Sequence, residues 1–171
     1  KSPEPKGPER YRMRPAGWHA FNIARIEAGS PLFYVDFGPG NLPHESGVLK
    51  DRVSFTKGCY LGQEVVARMQ SLGHPKQLLV GLRITKPIEK DSQQPVTGDR
   101  VFASDEAGAE AVGAVTSSTI APLLSQSAIC FAQVKWANAT ADKPLFIDAA
   151  GDRLPAVIKS LDTIHHRAVG W

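Results

Sequence analysis

The sequence predicts an α+β fold, on three observations. Between Pro15 and Gly29, Trp18, Phe21 and Arg25 fall at helical spacing with Ile23 and Ile26 nearby. A second amphipathic run, Val65 to Gln70, ends at Gly73 and Pro75. Beyond Pro75 helical periodicity stops and short apolar runs rich in β-branched residues follow at roughly even intervals. Such spacing indicates a small antiparallel barrel or sandwich.

Taken in order, Lys1 to Glu9 holds three prolines, two lysines and a glycine and reads as a solvated tail. Arg10, Arg12 and Arg14 come next without interleaved aromatics, so a nucleic-acid surface is not expected. In the first helix, Arg25 and Glu27 are two apart and do not share a face. Arg25 reaches a ligand while Glu27 pairs elsewhere, or the reverse. Residues 30–54 read as loop, with Asp36 to Asn41 dense in turn formers. The adjacent His44 and Glu45 lack metal-ligand spacing and read as structural or rim residues. Strands are expected over 77–84, 99–103, 111–118, 128–134, 144–147 and 155–158, with Gly113 marking a bend or bulge. Residues 86–95 form a polar loop. Cys130, in a near-continuous apolar strand, is a core residue.

At 171 residues and 42% hydrophobic content, the chain holds one sizeable core, or one domain plus part of another. It begins at Lys1, and a longer parent chain is expected. No apolar run is long enough to span a bilayer. A net charge of +3 is a mild bias that suits an anionic small molecule or a plain basic surface. Cys59 and Cys130, the two cysteines, form no CxxC or Cys/His cluster, so no metal site is expected. No Walker loop or zincin helix is present. Hydrolase chemistry lacks support: Cys59 is a candidate nucleophile, but His19, His44, His74, His165 and His166 stand in no recognised pattern with it.

The most informative stretch is Lys57-Gly58-Cys59-Tyr60-Leu61-Gly62-Gln63-Glu64. Two glycines bracket a cysteine and an aromatic, and an amphipathic run follows at once. The pattern reads as a tight loop delivering a thiol and a polar pair, Gln63 and Glu64, to a helix N-terminus, where the dipole favours negative charge. The alternative is a turn whose small Cys is merely packed.

This run resembles the K-G-C-[FY]-x-G-Q-E signature of the YgfZ-type folate-binding proteins, relatives of the glycine-cleavage T-protein (aminomethyltransferase). Ala24 to Gly29 is similar to the R-[LI]-E-A-G segment of that superfamily, and Leu42 to Glu45 to its L-P-x-E element. Gly113 to Ser117, Pro122 to Leu124, Ile129 and Ala132 to Val134 resemble its C-terminal barrel run. The likeness covers about residues 18 to 160. Cys130 and Phe131 replace residues that are usually small, which bears on packing. T-proteins usually have phenylalanine at the Cys59 position and arginine at the Gln63 position, so the chain falls on the YgfZ side.

The resemblance implies a tail over 1–14, the C-terminal part of a T-protein-like folate-binding domain over 15–75, and a C-terminal β-barrel domain over 76–171. It implies a tetrahydrofolate-binding accessory protein of iron–sulfur cluster assembly or repair, cytoplasmic or in the mitochondrial matrix. Arg25, Lys57, Gln63 and Glu64 would serve the folate, with Cys59 as the reactive thiol. Partners would be a folate derivative and iron–sulfur assembly proteins or client enzymes, with no membrane. The alternatives are a folate-dependent aminomethyltransferase and an interaction module with a decayed folate site.

Overall fold

The computed structural model describes residues 14–87 and 94–161. Residues 1–13 of the expected tail, part of the polar loop, His165 and His166 lie outside the described residues. The chain is α+β: three helices, α1 (Trp18–Glu27), α2 (Leu49–Arg52) and α3 (Gln63–Leu72), precede the strands. A 3₁₀ turn, Pro43–Ser46, and the single turn of α2 interrupt the stretch expected to be loop.

The strands are β1 (Gln77–Ile84), β2 (Arg100–Phe102), β3 (Ala111–Ala121), β4 (Ser127–Lys135), β5 (Pro144–Ala149) and β6 (Asp152–Lys159). They close into a barrel in the order β1-β4-β3-β2-β5-β6, every neighbour antiparallel. Closure gives each described strand a hydrogen-bonded neighbour on both sides.

The apolar residues sort into two layers. Val80, Leu82, Val101, Val115, Cys130, Val134, Leu145 and Ile147 fill the barrel interior. Ile26, Leu79, Leu124, Ile129, Phe131 and Leu161 form a second cluster between α1 and the outer barrel wall. β4 is apolar almost throughout because both its faces are covered: Cys130 points inward, while Ile129 and Phe131 belong to the seam. The bulky Phe131 is thus accommodated by α1, whose Arg25 guanidinium lies 5.7 Å from the centre of its ring.

α1 ends where the sequence says it should. Gly29 has φ +65°, and a Cβ on it would stand 1.7 Å from the Leu161 carbonyl oxygen. The close approach presses Leu161, two residues past the end of β6, against the end of α1.

The bulge expected at Gly113 lies beside it instead. β3 changes register with β2 between Val101 and Phe102, and with β4 between Val115 and Ser117. The second irregularity leaves Thr116 outside the ladder and turns its hydroxyl towards the helical segment. A bulge is a common way to re-aim one side chain.

Candidate functional site

The signature stretch folds as a tight loop leading into α3. Gly62, at φ +84°, caps the helix in a left-handed conformation that suits a residue without a Cβ. The Gln63 amide donates to the Tyr60 carbonyl at 3.3 Å, and the Gln63 side-chain Oε1 accepts from the Tyr60 amide at 3.3 Å. These two bonds draw the loop tight around Leu61 and Gly62. Gln63 opens the helix and Glu64 lies in its first turn, where the dipole favours a carboxylate.

Cys59 is exposed and unbridged, so the packed-turn alternative does not hold. Lys57 and Glu64 are exposed as well, and the Lys57 ammonium lies 5.1 Å from the centre of the Tyr60 ring. α3 itself buries little beyond Val66. The loop therefore presents a thiol, a cation and a carboxylate together on an open surface. Among the described residues, no group of three His, Cys, Asp or Glu side chains is placed to hold a metal ion.

Arg25 lies elsewhere. Its guanidinium is buried, donating from Nη1 to Asp36 Oδ2 at 2.6 Å and from Nε to Asn22 Oδ1 at 2.8 Å. It also lines a hollow of about 290 Å³, together with Trp18, Asn22, Thr97 and Ser118. None of Lys57, Cys59, Gln63 or Glu64 lines that hollow. Glu27, on the same helix, accepts the Leu123 amide at 3.1 Å, so both charged residues serve the contact with the barrel.

Asp36 is the residue that sequence reasoning missed. Its side chain is wholly buried. It accepts from Arg25, from the Leu32 amide at 2.8 Å, from Thr116 Oγ1 at 2.8 Å and from Ser117 Oγ. Its own carbonyl accepts from Gln133 Nε2 at 3.3 Å. Asp36 thus ties α1, the turn after it and β3 through its carboxylate, and β4 through its carbonyl, into a single seam. Asp36 opens a run of turn formers, and that composition hid its role.

His44 and Glu45, read as structural or rim residues, are both buried. Glu45 accepts from Asn41 Nδ2 at 2.9 Å, whose Oδ1 accepts the Gly38 amide, a wholly structural bond network. Neither ring nitrogen of His44 has a hydrogen-bond partner. Cys130 is completely buried inside the barrel; loss of solvation and, secondly, the charge of Asp99 push its thiol far above the usual range.

No protein-family model matches the chain. It is 38% identical over 74 residues to the tRNA-modifying protein YgfZ of Colwellia psychrerythraea, covering 42% of this chain and 23% of that protein. It is 32% identical over 150 residues to an aminomethyltransferase of Acidobacterium capsulatum, covering 86% of this chain and 36% of that one. Against the mitochondrial iron–sulfur cluster assembly factor IBA57 of Mus musculus it is 38% identical over 73 residues, or 42% and 20%. The chain therefore matches well under half the length of these relatives.

The fold matches that of the glycine cleavage system aminomethyltransferase T from Bartonella henselae with a TM-score of 0.69 at 22% identity, over 86% of this chain and 39% of that one. The closed barrel, the helices that dock on it and these similarities agree. Over the part it spans, the chain is similar in sequence to YgfZ-type proteins and to aminomethyltransferases, and it shares the fold of the glycine cleavage T-protein.

Proposed function

We propose that the chain is part of a tetrahydrofolate-binding accessory protein for iron–sulfur cluster assembly or repair, with Cys59 as its working thiol. The observation that carries this reading is the exposed Cys59 in the glycine-bracketed loop that opens α3. The loop's side chains fit a reduced folate chemically. Lys57 is a free cation for the glutamyl carboxylate, and Glu64 is a free acceptor for the N–H groups of the pterin. With its Oε1 held by Tyr60, Gln63 has its amide NH₂ left to donate. Arg25 fixes α1 against the barrel through Asp36 and lines a separate surface hollow.

Tetrahydrofolate would supply a carrier for a one-carbon unit. The chain's own contribution is to bind and orient that carrier, and to keep an exposed thiol beside it. The mouse relative's name, an iron–sulfur cluster assembly factor, supports the assembly role. A cytoplasmic location, or the mitochondrial matrix, accords with that reading, and no described helix is long and apolar enough to cross a membrane.

Titration calorimetry of the natural protein with 5-formyltetrahydrofolate tests the binding reading. Lys57→Ala and Glu64→Gln should each weaken binding by about 1.5–3 kcal/mol, while Cys59→Ser leaves it nearly unchanged. Equal affinities for all three variants and the wild type would remove this loop from the folate site.

A second reading, aminomethyl transfer to tetrahydrofolate, draws on the length of the aminomethyltransferase alignments, 150 residues in one case and 144 in another. Cys59→Phe separates the two. A transferase would tolerate the residue usual in that group, with glycine cleavage intact; an iron–sulfur accessory protein would not.

A further inference from the structure

We propose that the groove between the helical segment and the barrel, away from the Cys59 loop, binds a small planar nitrogen heterocycle that carries an anionic group. The groove measures about 550 Å³ and none of Lys57, Cys59, Gln63 or Glu64 lines it. Its volume is that of an ordinary small-molecule site. Leu78 contributes to an apolar floor, and His44, Lys50, Gln70, His74 and Trp136 contribute the groups that would choose a ligand.

Two independent observations point to an occupant. His44 is only 8% exposed, and neither of its ring nitrogens has a partner. Stability alone does not explain an imidazole buried in this way, because an apolar ring of the same shape avoids the unmade bonds. A neutral imidazole offers one N–H and one lone pair, and its complement is the adjacent donor and acceptor edge of a nitrogen heterocycle.

The second observation is an aromatic wall. The His74 and Trp136 rings are parallel to within 6° at 5.6 Å between centres. A contact of 3.2 Å between His74 Nδ1 and the Pro75 carbonyl fixes the His74 ring in place. Both residues are exposed, so this rigid pair has a flat face to give to a planar ligand. Lys50, exposed on α2 at the rim, supplies the cation for the anionic group.

The test is NMR titration of the chain, with its histidine rings isotope-labelled, against AMP, adenosine and 5-formyltetrahydrofolate. AMP or 5-formyltetrahydrofolate should bind at sub-millimolar concentration and shift the His44 ring signals; adenosine, which lacks the anion, should bind more weakly than AMP. Trp136→Ala, at an exposed position where folding is not at risk, should weaken binding roughly 5- to 150-fold. His44→Phe should abolish it while raising the melting temperature. AMP alone binding identifies a nucleotide site, and 5-formyltetrahydrofolate alone identifies a second folate site.

Failure of every probe to bind at about millimolar concentration, with His44 satisfied by water only, would overturn the proposal. So would binding that Trp136→Ala leaves unchanged. Folate binding lost in Lys57→Ala but kept in Trp136→Ala, with no binding of AMP, would overturn this site and leave the function proposed for the Cys59 loop standing.

Discussion

Asp36→Asn is the substitution with the largest expected consequence for the fold. The change is nearly isosteric, but it strips the charge that faces Arg25 in a pair whose side chains are 3% and 0% exposed. Removing one member of a buried pair leaves the other charge uncompensated and typically costs about 3–5 kcal/mol. The Thr116 and Ser117 hydroxyls and the Leu32 amide lose part of the same acceptor, so the cost should fall in the upper half of that range. For a chain of this size the melting temperature should drop by roughly 8–20 °C. Urea unfolding of wild type, Asp36→Asn, Arg25→Met and the double variant gives the measurement. The double variant should lose less than the sum of the two single changes, because removing both charges strands neither. Lys135→Ala provides the contrast: its pair with Glu110 at 2.9 Å is solvent-exposed and should be worth no more than about 1 kcal/mol. A loss below about 1 kcal/mol for Asp36→Asn, or simple additivity in the double variant, would refute the seam as the fold's electrostatic anchor.

Three further expectations follow from the same coordinates. The folded state holds the Cys130 proton to higher pH than the unfolded chain does, so stability should fall as pH rises above about 9, by up to roughly 1.4 kcal/mol per pH unit; Cys130→Ala should flatten that slope in urea unfolding measured from pH 8 to 10. Pulsed alkylation followed by mass spectrometry should label exposed Cys59 long before buried Cys130. Gly29→Ala must place a Cβ against the Leu161 carbonyl at a positive φ and should cost at least about 1–2 kcal/mol, whereas Gly38→Ala, with open space around it, should cost little.

What could be read before the structure, and what could not, divides along physical lines. β1 was legible over its full length, Gln77 to Ile84, because the run is bounded by Pro75 and lacks helical spacing. The continuous apolar character of β4 was legible too, and its cause is a strand covered on both faces. Glycine chemistry and the first-turn glutamate placed Gln63 and Glu64 at a helix N-terminus, which is where α3 begins.

The Arg25 environment was not legible. Its partner Asp36 looked like a turn residue, and the hydroxyls that complete the site come from Thr116 and Ser117, about 80 residues further along. Thr116 reaches Asp36 because a bulge frees it from the ladder, and no local pattern around Gly113 fixed that position. The single turns at Pro43–Ser46 and Leu49–Arg52 were also hidden, since such short elements carry no periodicity to detect.

The central claim is that exposed Cys59 serves iron–sulfur cluster assembly or repair, and one measurement addresses it most directly. In cells deleted for the natural protein, the activity of an oxygen-sensitive iron–sulfur enzyme is compared after return of wild type, Cys59→Ser or Cys130→Ala. The account predicts rescue by wild type and by Cys130→Ala, and little or none by Cys59→Ser at matched protein levels. Full rescue by Cys59→Ser would contradict it.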